Sequence, residues 1–184
     1  MDGVTALERS YDDLGALMTK IGTAELALPC PCDDWDVRAM LNHALGAGWM
    51  FTLVNQGESV GEDAGDVVGD DPAAALAKVR EANLASWRRT DALQGDRTYP
   101  FGTFPAEAAL LINIGEIDLH AWDLARATGQ DESLDPDVVE LLWGFYSAMP
   151  MDAYREHGAF GPEVVVPESA PLQDRLLGYI GRTV

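Results

Sequence analysis

The sequence predicts an all-α protein, a four-helix bundle carrying an additional helix and a short C-terminal appendage. Three observations lead there. Apolar residues return every three or four positions through segments long enough to be helices. Capping residues and prolines mark the starts of those segments, and glycines mark the ends. No strand and helix alternation and no internal repeat runs through the chain. At 184 residues, 47% of them hydrophobic, the chain can bury one core of ordinary domain size. Residues 1–150 are assigned to the bundle, and 151–184 to an extension that packs on it or on a partner subunit.

In the first helix Thr5 and Glu8 of "TALE" have the spacing of a capping box, and Leu7, Tyr11, Leu14, Met18 and Ile21 form the apolar stripe. A loop through "ELALPCPCDD" follows. Asp36 then has the position of an N-cap, with Trp35 and Met40 placed as a hydrophobic staple. Val37, Met40, Leu41, Ala44, Leu45 and Gly48 supply the core face of helix two. From Asn55 to Asp71, "NQGESVGEDAGDVVGDD" is rich in turn-forming polar residues and reads as an exposed, mobile connection.

Asp71 and Pro72 open helix three, whose Leu76, Val79, Asn83 and Trp87 share a face. The segment "GDRTYPFGTFP" is expected to be irregular, because Gly and Pro interrupt helix and strand alike. Helix four runs from about Thr103–Pro105 to a stop at Gly129. A fifth helix opens at Asp135 and Pro136 and continues to Pro150. The tail adds an extended piece, Val164 to Val166, and a last helix from about Pro171 to Ile180.

Composition excludes several classes of function. A formal charge of −19 repels phosphate backbones and anionic membranes, so nucleic acid and membrane surfaces are not expected partners. No apolar run approaches the ~20 residues of a membrane span, and the N-terminus lacks the features of a secretory signal. A cytoplasmic protein is expected. Cys30 and Cys32 are too close in sequence for an unstrained disulfide and read as two reduced loop thiols. No G-x-G-x-x-G, P-loop, H-E-x-x-H or G-x-S-x-G motif is present. Trp49, Trp87, Trp122 and Phe51 fall at helical spacing and read as core.

The chemistry concentrates in "LINIGEIDLHAWDLARATGQ". Glu116 and His120 are four apart and project from one helix face, and Asp123 lies a further turn along. That spacing also suits an ordinary exposed ion pair. His43 borders the core stripe of helix two and could be a hydrogen-bonded boundary residue. Brought together inside a bundle, however, His43, Glu116 and His120 would form a two-imidazole, one-carboxylate set with open coordination positions, suited to Zn²⁺, Ni²⁺ or Fe²⁺. Asp123 is placed to orient His120 or Arg126.

The blocks "PCDDWDVRAMLNHALG" and "GEIDLHAWDLARATGQ" together resemble the signatures of the mycothiol-dependent maleylpyruvate isomerase N-terminal domain family, of the DinB/YfiT-like superfamily. The tail resembles that of its short, single-domain actinobacterial branch of metal-binding proteins. The resemblance covers about Ala6 to Gln130. It implies an up-down-down-up DinB-like bundle, a divalent metal held by His43, Glu116 and His120, frequent dimers, and mycothiol or another low-molecular-weight thiol as cosubstrate beside a small-molecule substrate. The expected activity is thiol transfer or isomerisation. Metal-dependent hydrolysis or dehydration without a thiol and a non-catalytic metal-binding module are the alternatives.

Overall fold

The computed structural model describes residues 1–32, 35–60 and 65–184. The chain divides into two compact units, Met1–Ser133 and Leu134–Val184.

The first unit contains helices α1 (Gly3–Met18), α2 (Val37–Gln56), α3 (Pro72–Trp87) and α4 (Ala106–Thr128), with strands β1 (Asp96–Tyr99) and β2 (Gly102–Pro105) between α3 and α4. Helix α1 packs on α3 and α4, and α2 packs on the same two. Contacts along each pair fix the directions. Ser10 of α1 meets Asp118 of α4, and Leu17 accepts from Gln130 just beyond α4, so these helices run parallel. Tyr11 reaches Asn83, while Glu8 pairs with Arg88 further along α3, so α1 and α3 are antiparallel. Gly48 and Asn55 of α2 meet Asn83 and Ser86 of α3 in the same order, a parallel pair. The bundle is therefore up-down-down-up, as the DinB-like expectation has it.

Local chemistry explains most boundaries. Asp36 and Asp71 cap α2 and α3 by accepting from Ala39 N at 2.8 Å and Ala74 N at 3.0 Å. Gly129 closes α4 at φ 64°, a left-handed conformation that costs glycine nothing. Helix α1 departs from the sequence expectation: its cap is Asp2, which accepts from Thr5 N at 3.0 Å and Thr5 Oγ1 at 2.7 Å. A carboxylate at the positive end of the helix out-competes the Thr5 hydroxyl for the role. Ile21 falls beyond the end of α1.

The Gly95–Pro105 segment is a hairpin, not an irregular stretch. Thr98 pairs with Thr103 across it, and Pro100 and Phe101 form the connection. Proline is confined here to the turn and the last paired position, where it costs no internal ladder bond. Tyr99 packs on Phe51 of α2 with ring centroids 4.7 Å apart, and Phe101 stacks on Tyr99 at 5.2 Å. The connection before α3 also differs from expectation. Val68 is buried, and its N–H donates to Asn42 Oδ1 at 3.0 Å. Arg38 holds Asp66 at 2.7 Å. Residues 61–64 of that connection lie outside the described residues.

The core of the bundle contains Leu7, Tyr11, Leu14, Met40, Leu41, Leu45, Val79, Ile114 and Ile117. Phe51, Trp87 and Trp122 are buried with them, and Trp87 Nε1 donates to Asn113 Oδ1 at 2.9 Å. A polar hub crosses the core: Tyr11 OH donates to Asn83 Oδ1, whose amide donates to Gly48 O at 3.0 Å and Thr52 Oγ1 at 3.2 Å. A methyl at Gly48 would strike the Tyr11 hydroxyl and lie 2.6 Å from Val79 Cγ1. Gly48→Ala should therefore lower unfolding free energy by about 1–3 kcal/mol through overpacking. Urea denaturation checks this, and an unchanged midpoint would refute the tight crossing.

The second unit contains α5 (Pro136–Tyr146), α6 (Met151–Glu156) and α7 (Leu172–Tyr179). Asp135 caps α5, which stops at Tyr146 instead of reaching Pro150. Pro150 instead precedes α6, a turn and a half too short to leave a periodic pattern. Helix α5 packs on α7, with Val138, Leu142, Leu176 and Leu177 buried. The extended Val164–Val166 piece lies along α7, where Val164 N donates to Gly178 O at 2.9 Å. His157, at the end of α6, is exposed.

Candidate metal centre

Two helices and one loop build the site. The Asp36 cap sets the start of α2, which places His43 two turns in. On the neighbouring α4, Glu116 and His120 stand one turn apart on the face toward α2. The loop before α2 is closed by Cys30 N donating to Trp35 O at 2.8 Å and Val37 N donating to Leu28 O at 3.0 Å. That closure lays the Trp35 ring against His43, with centroids 4.8 Å apart.

The structure brings His43, Glu116 and His120 together, with one ligand atom of each within 4.8 Å of the others. His43 Nε2 lies 3.0 Å from Glu116 Oε2, and His120 Nε2 lies 3.7 Å from the same oxygen. The two imidazoles meet edge to face at 4.9 Å. A tetrahedral ion with ligand bonds near 2.0–2.1 Å needs donors about 3.3 Å apart. The two separations to Glu116 Oε2 straddle that value, so the three residues form a candidate ligand grouping for a cation.

Burial is graded across the set. Side-chain exposure falls from 41% at His43 and 30% at Glu116 to 13% at His120 and 0% at Asp123. His120 Nδ1 lies at hydrogen-bond distance from Asp123 Oδ2, 2.9 Å, and Nε2 is the ring nitrogen toward Glu116. A fully buried carboxylate is costly unless it is hydrogen-bonded. Here the imidazole of His120 is a partner, which places Asp123 where it can orient that ring. Arg126 is engaged elsewhere: it pairs with Glu132 at 2.8 Å and lies over the Trp122 ring at 4.3 Å.

Burial lowers the pKa of His43, but its hydrogen bond to Glu116 and the negative charge of that carboxylate outweigh the effect and raise it above its ordinary 6.5. In metal-free protein the pair therefore stabilises the fold fully below pH 6.5, the unfolded-state value, and this contribution fades as pH rises through the elevated folded-state pKa. The His43 ring protons of chelator-treated protein should titrate in NMR with a midpoint above 6.5. A midpoint at or below it would contradict the pairing.

The sequence reading missed one feature of this region. Cys32, His120 and Asp123 form another group whose ligand atoms lie within 4.8 Å of one another. Neither cysteine is in a disulfide, in line with two reduced thiols. Cys30 is buried, and its thiol is pushed up to about 11 by burial and by the charges of Asp123 and Asp36. The available signal was positional: Cys32 lies four residues before Asp36, the cap of the helix that carries His43. Spacing within one segment cannot reveal which distant helix such a loop touches.

The arrangement defines a class: helical bundles with a histidine, carboxylate, histidine donor set shared between two helices. The chain belongs to the mycothiol maleylpyruvate isomerase N-terminal domain family, whose pattern matches residues 7–125. It is also similar to an uncharacterized protein of Mycobacterium tuberculosis, in both strain CDC 1551 / Oshkosh and strain ATCC 25618 / H37Rv. Each of these is 28% identical over 190 residues, covering 100% of both chains. No solved structure matches the chain. Among the described residues, no helix is long and apolar enough to cross a membrane.

Proposed function

We propose that the protein is metal-dependent and acts in the manner of mycothiol-dependent isomerases and S-transferases, with His43, Glu116 and His120 holding a divalent cation. Zn²⁺ is the first choice for this donor set, and Ni²⁺ and Fe²⁺ also suit it. The observation that carries the reading is the convergence of three donors from two helices at ligand spacing. Membership of a mycothiol-related family adds the thiol.

When bound, the cation supplies Lewis acidity that ionises a thiol or water beside it. The chain's own residues do the remaining work. Asp123, within hydrogen-bond distance of His120 Nδ1, would hold the ring so that Nε2 is the nitrogen available to a cation. Glu116 offsets part of the dication's charge. Three protein donors would leave further positions for small molecules, and His43 and Glu116, the more exposed members of the set, offer a side for a low-molecular-weight thiol to approach. Trp35 gives that entrance an apolar wall beside His43. The second substrate is a small molecule with an electrophilic carbon, and the reaction class is thiol addition or thiol-assisted isomerisation. A cytoplasmic setting, which keeps such thiols reduced, and a homodimer belong to the same reading.

Elemental analysis of protein purified without added metal should return about one equivalent of transition metal per chain, and His43→Ala should lose most of it. Candidate electrophiles incubated with and without mycothiol, then read by mass spectrometry, test the chemistry. Conjugates or isomers formed only with the thiol support the reading. Thiol-independent addition or loss of water replaces it with hydrolysis or dehydration. Full metal occupancy with neither product makes the protein a binding module, and a metal-free wild type removes the centre altogether.

A further inference from the structure

We propose that Cys32, His120 and Asp123 form a second, thiolate-containing cation seat for thiophilic ions, one that competes with the first for the His120 imidazole. It shares His120 with the reading above but rests on donors of its own.

The three ligand atoms lie within 4.8 Å of one another. His120 is nearly buried, and Asp123 is completely so. The set contains one soft sulfur, one imidazole and one carboxylate, which is the ligand number of an open three-donor site. Cys32 and Asp123 together carry two negative charges against a dication, whereas Glu116 supplies one. Sulfur also selects soft ions such as Cd²⁺ over harder ones.

Competition follows from the chemistry of the ring. A neutral imidazole carries one lone pair and one N–H. With Nδ1–H donated to Asp123, the lone pair on Nε2 faces Glu116 and His43, and the first seat is served. Occupation of the second seat moves the ring proton from Nδ1 to Nε2, toward Glu116, and frees the Nδ1 lone pair. The Cys32 thiol loses its proton to solvent as the sulfur–metal bond forms. One ion is therefore held per chain, and its softness decides which nitrogen it takes.

Titration of the full-length chain with Cd²⁺ tests this by the ultraviolet sulfur-to-cadmium charge-transfer band. The wild type should develop the band and saturate at about one ion per chain. Cys32→Ser should lose the band yet keep its ion on the first seat, whereas Cys30→Ser and His43→Ala should keep the band. Circular dichroism confirms that each variant is folded. Absence of the band in the wild type, or its survival in Cys32→Ser, would overturn the proposal. The two readings separate cleanly: if Cys32→Ser loses both band and ion, the first seat fails and the second stands.

Discussion

His120→Ala is expected to leave the protein unable to retain metal, with content after gel filtration falling from about one equivalent per chain to background. The residue is the least exposed of the three donors in the first set, and it is the one ring common to both donor groups. Its loss leaves His43 and Glu116 as two partly exposed donors and strands the buried Asp123 carboxylate without its imidazole partner. Two ligands do not hold a dication against water at ordinary concentrations. Asp123→Asn provides the graded companion, because an amide disturbs the orientation of the ring without removing it. Partners of this kind typically contribute 10–100-fold in metal affinity, and competition with a chromophoric chelator reads the difference. Equal affinity in Asp123→Asn would mean that the ring is held by its helix alone.

Asn83→Ala should produce the largest loss of stability of any substitution away from the metal centre, about 3 kcal/mol in urea denaturation with an unchanged slope. The side chain is fully buried and ties three helices together: it accepts from Tyr11 of α1 and donates to Gly48 O and Thr52 Oγ1 of α2. Truncation strands the Tyr11 hydroxyl in a setting where burial already raises its pKa well above the ordinary value. It also opens a cavity next to the close passage of α2 and α3 at Gly48. A loss below about 1 kcal/mol would show that water replaces the amide.

Most of the architecture was legible in the sequence because local chemistry dictates it. Asp36, Asp71 and Asp135 act as caps wherever a short carboxylate precedes a helix, and the stripes from Leu7 to Met18 and from Leu76 to Trp87 are buried as their period requires. The hairpin was not legible, since its stability comes from Tyr99 packing on Phe51, a residue of another element. Competition at one helix end decided between Asp2 and Thr5, and propensity alone does not rank two adjacent caps. Of the site, Glu116 and His120 announced themselves by spacing on one helix. His43 was joined to them by supposing a bundle and then by the family resemblance, not by spacing, and the approach of Cys32 to α4 left no local trace.

The parallel course of α2 and α3 has a mechanical corollary. After Gly57 the chain must return along the full height of α2, roughly 30 Å for 20 residues at 1.5 Å each, before α3 can begin. That return passes Val68 and Asp66, docked beside the turn that carries His43. His43 thus lies upstream of the crossover, and Glu116 and His120 lie downstream. A chain cut there would yield two halves, neither of which holds a complete ligand set, so the ion itself would become the adhesive that rewards their reassembly.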